Sequence, residues 1–67
     1  MQQKIQQALD KAGYDGEPTA QNLTECFLDY ADAGVWSNLD YDDAKEEIAD
    51  GEITVSDMCR AIMKLRG

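Results

Sequence analysis

Apolar residues recur at helical spacing through most of this 67-residue chain. Ile5, Ala8, Leu9 and Ala12 stand at i, i+3, i+4 and i+7, one stripe, which predicts a first helix over Gln2 to Ala12. Gly13 follows where a left-handed C-cap is wanted, and GYDGEP reads as a turn-rich linker. A second helix should begin near Pro18 or Thr19, since proline suits a first helical turn. Its buried face is expected to hold Leu23, Cys26, Phe27, Tyr30 and Ala31, widened by Leu28 and stopped by Gly34.

The connection VWSNLD is too apolar for a solvated loop, so Val35, Trp36 and Leu39 are expected to close the end of the core. A third helix over Tyr41 to Asp50 has Asp40 as N-cap, Asp42 and Asp43 in its first turn, and Gly51 at its end. Its apolar side is thin: Tyr41, Ala44 and Ile48. The fourth opens on Thr54, with Asp57 three residues on as a capping box using the shorter acid. Val55, Met58, Cys59, Ile62 and Leu65 form its stripe, and Arg60, Lys64 and Arg66 suit the negative end of its dipole. No strand-like alternation persists. The pattern predicts an all-α fold, one domain over residues 1–67 built as a compact bundle of three to four short helices.

Composition then removes whole classes of activity. There are no histidines and two serines, Ser37 and Ser56, so a Ser/His or Cys/His nucleophile pair cannot form within one chain. An imidazole-bound catalytic zinc is excluded on the same ground. A chain this short buries only about 60% of its unfolded surface, which leaves little room for a cleft that fixes two carboxylates. We therefore expect a protein that is not an enzyme and carries no cofactor. Net charge is −8, against direct binding of nucleic acid or of an anionic membrane surface. Neither a signal peptide nor a membrane span is apparent, so a cytoplasmic location is expected, with Cys26 and Cys59 reduced and buried as small hydrophobes.

The run DYDDAKEEIADGE, residues 40–52, invites a calcium reading. With Gly51 at the sixth position of an EF-hand loop, Ile53 and Asp57 fall at the eighth and twelfth, but Ile48 takes the third, where an oxygen is required. A frame starting at Asp40 puts Lys45 at the glycine position. No metal site is expected. The tail EEIADGEITVSDMCRAIMKL is loosely similar to the last part of acyl and peptidyl carrier proteins. Their attachment serine, in an Asp-Ser-Leu motif opening the second long helix, has no counterpart here: Ser37 lies in WSNLD, between helices.

Charge is polarised along the chain. Residues 15–57 hold thirteen acids and one base, Lys45, a net of −12; the two ends hold five bases and one acid, Asp10, a net of +4. Glu25, Asp29 and Asp32 recur at i, i+4 and i+7 opposite the second helix's apolar stripe. Like charges at this spacing destabilise a helix by about 0.2–0.5 kcal/mol per pair, a cost that interleaved lysines would avoid. A rigid row of carboxylates can occupy the Lys/Arg groove of a nucleic-acid-binding protein.

In this general character, a short acidic chain with the runs NLDYDDAKEEIADGE and ECFLDYADA, the sequence resembles the small phage-encoded anti-CRISPR and antirestriction proteins, some of them DNA mimics. The resemblance implies an inhibitor acting in the host cytoplasm on a basic protein surface. The expected contact face is Asp29, Asp32, Asp40, Asp42, Asp43, Glu46, Glu47 and Asp50, with Trp36 or Tyr41 as an apolar anchor. The alternative is a regulatory interaction module, homodimeric in one form, that docks through Trp36, Leu39 and Met63 while the acids only solvate it.

Overall fold

The computed structural model describes residues 2–65, and Arg66, expected near the last helix's negative end, lies outside them. Four helices follow one another: α1 (Gln2–Ala12), α2 (Ala20–Asp32), α3 (Tyr41–Asp50) and α4 (Val55–Met63). Among the described residues there is no strand. The all-α bundle expected from the pattern is the fold.

Side-chain capping sets three of the starts. Thr19 accepts from the Asn22 N–H, and Asp40 from the Asp43 N–H. Thr54 and Asp57 close a reciprocal capping box, with bonds of 3.2 and 3.0 Å. Each satisfies donors that a helix N-terminus leaves without a partner. Pro18 therefore precedes the cap of α2 instead of lying in its first turn, because Thr19 supplies the oxygen that proline lacks.

α1, α2 and α3 end alike. Gly51 has φ 83°, and behind it the Glu52 N–H reaches the Glu47 carbonyl at 2.9 Å. That left-handed turn penalises any residue with a Cβ. Gly13 and Gly34 share the conformation, with Tyr14 bonded to Leu9 and Val35 to Tyr30.

The core is Ile5, Ala8 and Leu9 of α1, Leu23, Cys26, Phe27 and Ala31 of α2, Ala44 of α3, and Met58, Cys59 and Ile62 of α4. Helix α2 is the hub and packs against the other three, and α1 and α4 also pack on each other. Among the helices α3 touches α2 alone. Two positions depart from the apolar reading. Tyr41 is 38% exposed and Val35 41%. At α3's first residue Tyr41 stands at the flank of a helix that buries only Ala44 completely, and Val35 follows the left-handed turn at Gly34 with its N–H bonded to the Tyr30 carbonyl and its side chain exposed.

Candidate protein-binding surface

The ends of α2 and α3 meet through the link 33–40. Trp36 folds back there: its indole N–H donates to the Phe27 carbonyl at 3.1 Å, and its ring stacks on Phe27 with centroids 5.0 Å apart. Tyr30 meets it edge-on at 5.7 Å. The indole's polar atom is satisfied and its ring is half-buried, so Trp36 closes the core and offers one edge outward. Leu39 also packs against the core. Beside them Ala31, Gly34, Trp36, Asp40 and Asp43 help to line a shallow depression of about 320 Å³. The acids that open α3 therefore adjoin the C-terminal end of α2.

Asp29 and Asp32 on α2 are exposed, as are Asp40, Asp42, Asp43, Glu46 and Asp50 on and before α3; Glu47 is half-buried. Because α3 packs only on α2, the outward side of α3, with Asp42, Glu46 and Asp50, turns away from the bundle. Its one base does not neutralise it. Lys45 holds its ammonium 5.8 Å from the centroid of the Tyr41 ring, within cation–π range. Among the described residues the ion pair is Arg60–Asp57, at 3.3 Å within α4, on the helix that follows the acidic run 40–52.

These carboxylates are not equivalent. Asp40 caps α3, and Asp42 and Asp43 sit in its first turn, where the helix dipole favours negative charge. Asp57 is bound into the capping box, and its hydrogen bonds with Thr54, helped by Arg60, hold its carboxyl below the usual range. Local structure accounts for all four. It does not account for Asp29 and Asp32, which lie near the negative end of α2, where no basic residue offsets them. Nor does it account for Glu46, Glu47 and Asp50, in the second half of α3, whose last turn also lacks a base. There Asp42–Glu46, Asp43–Glu47 and Glu46–Asp50 are like-charge pairs at i, i+4.

The calcium frame meets a helix: residues 46–50 belong to α3, and Gly51 caps it. Among the described residues no three His, Cys, Asp or Glu side chains gather where they could hold a metal ion. Cys26 and Cys59 are free and buried. Burial raises both thiols, with Asp29 adding to the effect at Cys26 and Lys4 opposing it at Cys59.

Sequence reasoning found the acids but not a second surface. Lys4 and Gln7 of α1 and Ser56, Cys59, Arg60 and Met63 of α4 line a groove of about 260 Å³. The excess of bases at the two chain ends was its trace in the sequence; only the pairing of α1 with α4 gathers them. Among the described residues no helix is long and apolar enough to cross a membrane. Set against models of protein families, curated proteins and solved structures, the chain matches none.

Proposed function

We propose that this chain is an acidic, protein-binding inhibitor that occupies the basic, nucleic-acid-binding surface of another protein, in the manner of a phage-encoded DNA mimic. One observation carries the reading. Asp29, Asp32, Glu46, Glu47 and Asp50 stand where helix dipoles and like-charge neighbours oppose them, and the one base among them, Lys45, is directed to Tyr41. Carboxylates held at a local cost point to a use outside the fold.

The partner would present Lys and Arg in a groove shaped for phosphates. Carboxylates one helical turn apart, about 5.4 Å, offer charges to such a groove without being a nucleic acid. Opposite charges speed encounter and make binding sensitive to salt. Docking through apolar residues is the second reading, and exposed Met63 favours it; Trp36 and Leu39, packed on the core, have less surface to give.

The test is competition against DNA for purified nucleases and other DNA-binding proteins of bacterial defence, at low and high salt. A control would carry Asp29→Asn, Glu46→Gln, Glu47→Gln and Asp50→Asn, leaving the caps intact. Displacement of DNA by the native chain, lost in the control and at high salt, supports the reading. Equal displacement by both proteins, or none by either, overturns it.

A further inference from the structure

The groove between α1 and α4 is basic where α3 is acidic, although Arg60 there is already paired with Asp57 at 3.3 Å. Lys4 and Arg60 line it, Met63 stands 43% exposed at its edge, and the buried Cys59 lies behind it. Lys11 continues the Lys4–Gln7 row along α1 at i+7, and Lys64 follows Arg60 at i+4. Four of the five cations among the described residues, Lys4, Lys11, Arg60 and Lys64, thus belong to α1 and the end of α4. Helix α3 touches neither of these helices, and α2 lies between. Bases and acids form two poles by helix, which meet at Trp36: it lines one depression with Arg60 and Lys64 and another with Asp40 and Asp43.

We propose that the α1–α4 groove docks the acidic side of α3 from a second copy of this chain, so that molecules associate head to tail. Charge complementarity selects that occupant. Lys4 and Lys11 lie about 10.5 Å apart along α1, and Asp43 and Asp50 stand at the same i, i+7 interval along α3. Exposed Met63 supplies apolar surface to the contact. The two poles lie on different elements of one chain, so the contact is heterologous and leaves a free pole at each end of any assembly.

Net charge sets an unusual salt dependence. Two copies at −8 each repel over their whole width, and the molecule measures 26 × 23 × 17 Å. At 0.01 M salt the screening length is about 30 Å, so this repulsion acts in full. At 0.15 M it is about 8 Å: the repulsion between whole molecules is screened, while groups in contact still attract. At 1 M, about 3 Å, the attraction also goes. Association should therefore be strongest at intermediate salt.

The experiment is sedimentation equilibrium of the isolated chain at these three ionic strengths, from micromolar to millimolar concentration. One variant reverses the groove (Lys4→Glu with Arg60→Glu), another reverses the helix (Glu46→Lys with Asp50→Lys), and circular dichroism checks that both keep their helices. The expected result is a mass that rises with concentration at 0.15 M and falls back to the monomer at 0.01 and 1 M. Each variant alone should lose association, and an equimolar mixture of the two should regain it, because the reversed helix fits the reversed groove. A native chain that stays monomeric throughout overturns the proposal and leaves the groove to another acidic partner or to solvent. So does a mixture that fails to associate where the native chain does. No basic partner enters this experiment, so its failure leaves the inhibitor reading standing.

Discussion

Helices α3 and α4 are of similar length and begin in the same way, yet they are held by different forces. Each has a side-chain cap that accepts from the N–H three residues on. Helix α4 then buries Met58, Cys59 and Ile62 and packs on both α1 and α2. Helix α3 buries Ala44 alone and packs on α2. Its outward side is given over to carboxylates. Packing holds α4, whereas α3 depends more on its cap, its glycine stop and a few half-buried contacts such as Ile48 and Ile53. A helix with so little core at stake can carry surface charge that a core helix could not.

The largest expected effect tests the core side of that contrast. Ile62 is fully buried on α4. Ile62→Ala should cost about 2–5 kcal/mol. A domain this small has about 3–5 kcal/mol in total, so urea titration should find the variant largely unfolded in all four helices.

Removing a cap should separate the two helices. Asp40→Ala and Thr54→Ala should each cost about 1 kcal/mol. Hydrogen exchange should show the Asp40→Ala loss confined to α3, which opens locally, and the Thr54→Ala loss shared by the whole core. Equal spread of both losses would mean that α3 and α4 form one cooperative unit.

Alkaline pH should act on the core side alone. The thiols of Cys26 and Cys59 are raised by burial in the folded chain, and α3 has none. Their contribution is fully present below the ordinary thiol pKa of about 8.5 and is lost as pH rises through the raised values. Thermal melts should show stability declining above pH about 8.5, with less decline in Cys26→Ala.

The smallest effect has the opposite sign. Glu46→Gln relieves like-charge pairs with Asp42 and Asp50, each worth about 0.2–0.5 kcal/mol. It should stabilise α3 slightly in low salt while weakening competition with DNA. A variant that gains stability and loses no binding would return Glu46 to the solvated surface.

Much of the fold was legible in the residues. The bounds of α1 and α3, the caps Asp40 and Thr54, and the stops Gly13, Gly34 and Gly51 follow from local physics: apolar period, a side-chain oxygen for orphan N–H groups, and a residue free to take positive φ. The start of α2 was less legible, because Pro18 and Thr19 both suit a helix beginning and only the observed bond to Asn22 ranks them. The acids were equally visible as a row. Their division into those the helix ends require, Asp40, Asp42 and Asp43, and those they do not, Glu46, Glu47 and Asp50, needed the caps and dipoles of actual helices.

Other features depend on which helix lies beside which, and helical period is blind to that. Trp36 and Val35 are neighbours in one apolar link, but Trp36 turns inward onto Phe27 while Val35 stays in solvent. Lys4 and Arg60 are 56 positions apart and share a groove because α1 packs on α4. The sequence by itself determined the helices, their ends and the charge each carries, since these depend on residues within a few positions of one another. Tertiary packing alone decided that α3 with its acids is held, among the helices, only by α2 and that the bases of α1 and α4 are brought onto one pair that α3 never touches, because contacts between distant segments arise only when the apolar stripes find one another.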